Sequence, residues 1–128
     1  MALRDKLSVL VVDDMSTSRG LILMALDEIG IKNVDFCGDG RAALAKLSAQ
    51  PRHLVISDYN MPEVNGLQLL HALRSAERTA KIGFILISGR LDNEIVTKGR
   101  QLGLNNVLQK PFDTAQMKAC LQSVVGPL

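Results

Sequence analysis

Acidic side chains follow two apolar runs of this chain, at points where buried strands would end. The run at residues 7–12 leads directly into Asp13 and Asp14. The run at residues 54–57 leads into Asp58. Ionised carboxylates are costly to crowd together or to bury unless something pairs them. A hard divalent cation such as Mg²⁺ prefers oxygen ligands, so these carboxylates predict a metal site at the strand ends.

A lysine and a serine stand at the ends of two further apolar runs. Lys110 follows the short run at residues 107–108, and Ser88 closes the run at residues 84–88. Lys110 would place a positive charge beside an added phosphoryl group. The hydroxyl of Ser88 would donate a hydrogen bond to a phosphoryl oxygen. These two side chains predict phosphoryl chemistry beside the metal site.

Asp58 is the candidate nucleophile, because it follows the run that reads as the most buried strand. Carboxylates do form aspartyl-phosphate intermediates, and phosphoryl transfer needs mainly positioning and charge stabilisation. Asp14 and Asp58 would ligate Mg²⁺ directly, and Asp13 would do so directly or through a water. The backbone carbonyl of a residue just after Asp58, such as Asn60, would complete the ligand set.

Composition limits the classes of protein that this chain can represent. Its 128 residues are 47% hydrophobic and 22% charged, which predicts one globular domain spanning residues 1–128. A net charge of +2 argues against binding nucleic acid or membranes by bulk charge. The first residues lack a signal peptide, and no apolar run reaches membrane-spanning length. Cys37 and Cys120 are isolated, which predicts reduced thiols on apolar faces in a cytoplasmic protein.

Short apolar runs alternate with longer amphipathic ones along the chain. We predict strands at residues 8–12, 34–37, 54–57, 84–88 and 106–108. We predict helices at residues 16–29, 41–48, 66–75 and 93–102, and a last helix capped by Asp113. This alternation predicts the α/β class, with a doubly wound, five-stranded parallel sheet and five helices. Ligands bind such sheets at the carboxyl ends of the strands, so the candidate site residues should converge on one edge.

Four segments, in this order, resemble the response-regulator receiver domain family. They are residues 11–19, residues 58–62 with Gly66 beyond, Ser88, and residues 110–112, and the turn at residues 38–40 also fits. Each segment alone is weakly specific, but the ordered set covers almost the whole chain. The resemblance implies a flavodoxin-like (CheY-like) sheet of order 2-1-3-4-5.

The resemblance also implies how the site works. Asp58 would be phosphorylated by a histidine kinase, with Ser88 and Lys110 assisting. Mg²⁺ would bind Asp13, Asp14, Asp58 and the carbonyl of Asn60. Such a chain is a phosphoacceptor that assists its own phosphorylation and dephosphorylation, and we do not class it as an enzyme.

Similarity to the chemotaxis members of the family implies particular partners. They are a CheA-like histidine kinase, the flagellar switch protein FliM or another phospho-dependent partner, and in some systems a phosphatase. The chain ends directly after the last predicted helix, so we expect output through protein binding, with no nucleic acid and no membrane involved. Phosphorylation would then shift an equilibrium between two states that bind the partner differently.

The chain departs from the family at the position three residues before the lysine. CheY-like proteins usually carry an aromatic ring there that swings inward on activation, whereas this chain has Val107. Our hypothesis is that the signal instead travels through the loop at residues 88–93.

Two other functions are open on the sequence. A single receiver domain can act as a phosphate sink or as an intermediate in a phosphorelay. A more remote alternative is a small phosphatase of the haloacid dehalogenase type, which also uses an aspartate nucleophile. That family expects a second carboxylate two residues after the nucleophile, where this chain has Asn60.

Overall fold

Strands and helices alternate along residues 3–128, the part of the chain that the computed structural model describes. The strands are β1 (Ser8–Val12), β2 (Asn33–Cys37), β3 (Leu54–Asp58), β4 (Gly83–Ser88) and β5 (Asn106–Gln109). The helices are α1 (Ser16–Ile29), α2 (Gly40–Ala49), α3 (Gly66–Arg74), α4 (Asn93–Gln101) and α5 (Thr114–Val125), and a short 3₁₀ turn (Leu3–Asp5) precedes β1.

The five strands form one sheet in the order β2-β1-β3-β4-β5, and every neighbouring pair is parallel. The α/β class, the doubly wound sheet and its order 2-1-3-4-5 are therefore confirmed. β3 is buried along its whole length, as is β4 after its first residue. Strands covered on both faces carry continuous apolar runs, which is why these two were readable in the sequence.

Helices cover both faces of the sheet and enclose two separate cores. Val9 and Val11 of β1 belong to the core beneath α1 and α5. Leu10 and Val12 belong to the core beneath α2 and α3, against which Ile95 of α4 also packs. Successive side chains of a strand point to opposite faces, so one five-residue strand supports both cores.

Local capping determines where the helices begin and end. The Asp113 carboxylate accepts a hydrogen bond from the N–H of Gln116, and Oε1 of Gln116 accepts one from the N–H of Asp113. These two hydrogen bonds form a capping box at the start of α5. α1 ends at Gly30, whose φ of 98° lies in the left-handed region that favours glycine. These signals are local in sequence, so the bounds of α1 and the start of α5 agree with prediction.

α1 differs in detail from what its sequence suggests. Leu21 and Met24 belong to the apolar pattern, yet they are 57% and 60% exposed. Ile22 and Leu26 are fully buried instead. Packing against neighbouring elements, and not the apolar pattern of α1 alone, determines which side of the helix faces the sheet.

Both cysteines are buried and unpaired, as predicted. Burial raises the pKa of the Cys37 thiol, and it raises the pKa of Cys120 to about 11. Both thiols therefore remain protonated at neutral pH. Among residues 3–128, no helix combines the length and the apolar character needed to cross a membrane.

Candidate functional site

The carboxyl ends of the central strands bring the predicted residues to one edge of the sheet. Asp13 directly follows β1, and Asp58 is the last residue of β3. Ser88 is the last residue of β4, and Lys110 directly follows β5. Because all strands are parallel, their carboxyl ends share one edge, where doubly wound folds bind ligands.

Three carboxylates form a compact cluster at this edge. Asp13, Asp14 and Asp58 each offer one oxygen, and these oxygens lie within 4.8 Å of one another. Asp13 is fully buried and Asp58 is 6% exposed, whereas Asp14 is open to solvent. Solvent therefore reaches the cluster mainly at Asp14.

Asp13 holds an oxygen that lacks a hydrogen bond. Its Oδ1 accepts the N–H of Met15 at 3.0 Å, but its buried Oδ2 has no hydrogen-bond partner among residues 3–128. Oδ2 lies 3.7 Å from Nζ of Lys110, which is close enough for an ion pair but too far for a hydrogen bond. An orphaned carboxylate oxygen beside two other carboxylates is unfavourable by itself. The donor set, all hard oxygens, fits a cation such as Mg²⁺.

Lys110 binds the carboxylate of Asp58 directly. Its ammonium donates to Oδ1 of Asp58 at 3.0 Å. Burial raises the pKa of Asp58, and the negative charges of Asp13 and Asp14 add to that rise. The hydrogen bond and the charge of Lys110 act in the opposite direction without reversing it. Lys110 thus offsets only part of the energetic cost of ionising Asp58.

Ser88 lies at the edge, but its hydroxyl is engaged locally. The hydroxyl donates to the carbonyl of Arg90 and accepts the N–H of Arg90, both at 3.2 Å, and Ser88 is only 1% exposed. Donation to a phosphoryl oxygen therefore requires the hydroxyl to turn away from Arg90, and this role stays a prediction. The backbone N–H of Lys110 donates to the Ser88 carbonyl at 2.9 Å, which joins the ends of β4 and β5.

Asn60 lies in the exposed loop between β3 and α3. The loop is anchored at Tyr59, whose N–H donates to the carbonyl of Ile87 at 2.8 Å. The carbonyl of Tyr59 in turn accepts the N–H of Gly66 at 2.9 Å. The backbone around Asn60 is thereby held near the cluster, and its carbonyl as a metal ligand stays a prediction.

Two further side chains at the site were not identified from the sequence. Nη1 of Arg19 donates to the backbone carbonyl of Asp13 at 2.9 Å, and its guanidinium lies 4.9 Å from the centre of the Phe36 ring. The hydroxyl of Ser18 accepts a hydrogen bond from the Lys110 ammonium at 2.6 Å. Both residues lie in the segment 11–19 that resembles the receiver family, and in the first turn of the helix after the acidic pair, but neither signal gave them a role at the site.

The sheet order, the carboxylate cluster and the adjoining lysine together define a doubly wound α/β domain with an acidic site at the carboxyl edge of its sheet. The family model for the response regulator receiver domain matches residues 9–122. The chain belongs to that family, whose members are phosphoacceptor signalling proteins.

Curated relatives are chemotaxis proteins. The chain is 43% identical, over 128 residues, to a probable chemotaxis protein CheY of Rhizobium etli, covering 100% of this chain and 99% of that protein. It is 30% identical to chemotaxis protein CheY-3 of Vibrio cholerae, covering 95% of this chain and 94% of the relative. The chain is therefore a receiver domain homologous to the chemotaxis response regulators, and a phosphorylation mechanism follows from the family.

Solved structures share the fold. Chemotaxis protein CheY4 of Vibrio cholerae superposes with a TM-score of 0.85 at 30% identity, covering 92% of this chain and 98% of that one. The receiver domain of the sensor histidine kinase PA1611 of Pseudomonas aeruginosa gives a TM-score of 0.84 at 23% identity, covering 94% and 98% of the two chains. That domain has a magnesium ion coordinated in its active-site cleft.

Proposed function

We propose that this protein is a single-domain response regulator in which Asp58 accepts a phosphoryl group from a histidine kinase, with Mg²⁺ held by the acidic cluster. The observation that carries the proposal is the arrangement around Asp58. Asp58 lies in a cluster with two other carboxylates, one of which has a buried oxygen without a hydrogen bond among residues 3–128, and the ammonium of Lys110 lies 3.0 Å from Oδ1 of Asp58.

The residues divide the chemistry between them. A carboxylate oxygen of Asp58 would attack phosphorus, so that an O–P bond forms as the bond to the donor breaks. The ammonium of Lys110, already beside Asp58, would pair with the phosphoryl oxygens and stabilise their negative charge. Asp13, Asp14, Asp58 and the Asn60 carbonyl would hold Mg²⁺, which would supply positive charge that offsets the carboxylates and the incoming phosphoryl oxygens. Ser88 would donate a hydrogen bond once its hydroxyl leaves Arg90.

The partners follow from the family and from its chemotaxis members. We propose a CheA-like histidine kinase as the donor and FliM, the flagellar switch protein, as the partner of the phosphorylated form. Similarity to chemotaxis proteins of two other bacteria supports this role. The unpaired thiols of Cys37 and Cys120 suit a reducing compartment, which supports action in the cytoplasm.

Phosphorylation by acetyl phosphate tests the proposal. The native chain, Asp58→Ala and the control Asp27→Ala would be incubated with and without Mg²⁺ and measured by intact mass. Asp27 is an exposed carboxylate of α1 that pairs with Lys32 and lies outside the acidic cluster. We expect one Mg²⁺-dependent phosphoryl adduct on the native chain and on Asp27→Ala, and none on Asp58→Ala.

An adduct that survives in Asp58→Ala would show that another residue is the acceptor. If the native chain gives no adduct, the experiment is repeated with beryllofluoride, a stable mimic of the phosphoryl group. Binding of beryllofluoride to the native chain, but not to Asp58→Ala, identifies an acceptor that loses phosphate quickly, as a phosphate sink would. Absence of both adducts contradicts the proposed function.

A further inference from the structure

The ammonium of Lys110 has three oxygen neighbours, and one of them is not a carboxylate. Nζ lies 2.6 Å from Oγ of Ser18, 3.0 Å from Oδ1 of Asp58 and 3.7 Å from Oδ2 of Asp13. An ammonium has three hydrogens to donate, and the shortest of these contacts goes to the neutral hydroxyl. That hydroxyl comes from α1, 92 residues earlier in the chain.

Ser18 is the one hydroxyl of its helical turn that faces the site. Its neighbours Ser16 and Thr17 are exposed, whereas Ser18 is half-buried. Residues four apart lie on the same face of a helix, so Ser18 extends the stripe formed by Ile22 and Leu26. Those two side chains are fully buried against the sheet. The packing of α1 therefore holds the Ser18 hydroxyl at a defined place beside the strand ends.

The neutral Ser18 hydroxyl gives Lys110 a hydrogen-bond partner that stays the same throughout phosphoryl transfer, which its carboxylate partner Asp58 cannot do. Asp58 changes its charge and shape when it accepts a phosphoryl group, whereas the Ser18 hydroxyl does not change. Lysine carries its charge on a flexible four-carbon stem, so the position of that charge depends on what anchors it. Charges that are already in place stabilise a transition state better than charges that must be gathered.

Resting on the proposed function, we propose that Ser18 is a positioning residue. Its hydroxyl holds the ammonium of Lys110 beside Asp58 and thereby sets the rate of phosphoryl transfer to Asp58. Neither the metal cluster nor the acceptor carboxylate includes Ser18, so its effect is exerted through Lys110 alone.

Three variants test this role: Ser18→Ala, Ser18→Thr and the control Thr17→Ala. Thr17→Ala removes a hydroxyl from the exposed face of the same turn. We expect Ser18→Ala to slow phosphorylation by acetyl phosphate by on the order of threefold to tenfold, the scale of one typical hydrogen bond. Ser18→Thr keeps a hydroxyl and should recover most of the rate, and Thr17→Ala should match the native chain.

Two further readouts separate positioning from structural damage. Hydrogen exchange of the Lys110 ammonium, followed by ¹⁵N NMR, should quicken in Ser18→Ala because an anchor is lost. The dissociation constant for Mg²⁺ should stay that of the native chain, because the cluster does not include Ser18. Weaker Mg²⁺ binding in both Ser18 variants would indicate a general disturbance and overturn the proposal.

A native rate of phosphorylation in Ser18→Ala would also overturn it. If the native chain itself takes neither phosphoryl nor beryllofluoride, the proposed function fails, and the Lys110 measurement then decides about Ser18 separately. Faster ammonium exchange in Ser18→Ala would still show that Ser18 positions Lys110. Unchanged exchange would refute that.

Discussion

Opposing influences act on the carboxylate of Asp58. Burial and the neighbouring Asp13 and Asp14 raise its pKa, and Lys110 lowers it, with a net rise above the usual 3.8. The folded protein therefore binds the Asp58 proton more tightly than the unfolded chain does. It follows that the free energy of unfolding falls as pH rises from 3.8 through the pKa of the folded state, and stays reduced at neutral pH.

Asp58→Asn should consequently stabilise the protein when no metal is bound. The variant has nearly the same shape but carries no buried charge, so its urea midpoint in EDTA at pH 7 should exceed that of the native chain. The difference should shrink as pH falls toward 3.8, where the native Asp58 becomes protonated as well. Asp27→Asn, at an exposed site, should show no such trend. A lower midpoint for Asp58→Asn at pH 7 would mean that the ion pair with Lys110 outweighs burial.

Single residues were predictable where their position followed from a strand end. Asp13, Asp58 and Lys110 each stand beside an apolar run, so their convergence was predicted once the sheet was recognised as parallel. The contact between Ser18 and Lys110 was not predictable, because it depends on how α1 is rotated against the sheet. A hydroxyl in the first turn of a helix can serve several purposes, so its position does not predict this contact. The sequence separation between Ser18 and Lys110 does not predict it either, because it matches no helix or strand period.

At the scale of elements, α3 lies against the end of β3 at a position where only glycine fits. A Cβ on Gly66, the first residue of α3, would lie 2.7 Å from the carbonyl oxygen of Asp58, 3.1 Å from Cα of Tyr59 and 2.5 Å from Cδ1 of Leu86. Two of these atoms belong to the backbone of the site. The helix can therefore approach Asp58 this closely only because it begins with glycine.

Gly66→Ala should lower the free energy of unfolding by about 1–3 kcal/mol, the usual cost of overpacking. Because the clash includes the carbonyl of Asp58, phosphorylation by acetyl phosphate should slow as well. Urea denaturation and intact mass would measure the two effects. The matched control is Gly20→Ala in α1, where a Cβ meets no atom within 4 Å.

Gly20→Ala should instead stabilise the protein by about 0.5–1 kcal/mol, because alanine favours the helical state over glycine. Equal effects of the two substitutions would show that helix propensity dominates and that close packing beside Asp58 has little importance.

Most elements were predictable to within one or two residues, since their caps and apolar runs are local. The exposure of Leu21 and Met24 was not predictable, because the apolar pattern of α1 is wider than the part of the helix that the sheet covers. Val107 is half-buried in β5 and packs on the same core as Leu91 and Ile95. The hypothesis that the loop at residues 88–93 carries the signal therefore has a physical connection to β5, and it stays a prediction.

For the whole molecule, the acidic cluster links stability to metal binding. A ligand that binds only the folded state stabilises it by mass action, by ~1.4 kcal/mol at ten times the dissociation constant. For a domain of this size, that corresponds to a rise in Tm of roughly 5 °C. We expect this rise with Mg²⁺ in a thermal scan of the native chain and of Asp27→Asn.

Asp13→Asn should lose most of the rise, because it removes the charge of the buried ligand. The same ionic strength supplied as sodium chloride should not reproduce it. A Tm that stays the same in millimolar Mg²⁺ would argue against a metal site among these carboxylates.

The whole topology was only partly available from the residues. Alternating strands and helices predict a doubly wound parallel sheet, but many strand orders satisfy that pattern. The order 2-1-3-4-5 came from the resemblance to receiver domains, because it depends on which side each crossover takes. The crossovers are right-handed in nearly all such folds, yet periodicity along one strand does not reveal its neighbour.

Lys110 and Asp58 also have a bearing on biosynthesis. Asp58, the proposed acceptor, is translated before its ammonium partner, which emerges only after β5, 52 residues later. A nascent chain whose last strand is still inside the ribosome contains Asp58 without the lysine that completes its surroundings. On the proposed function, competence to accept a phosphoryl group is acquired only after β5 has been made, and a product truncated before Lys110 would lack the positive charge beside Asp58.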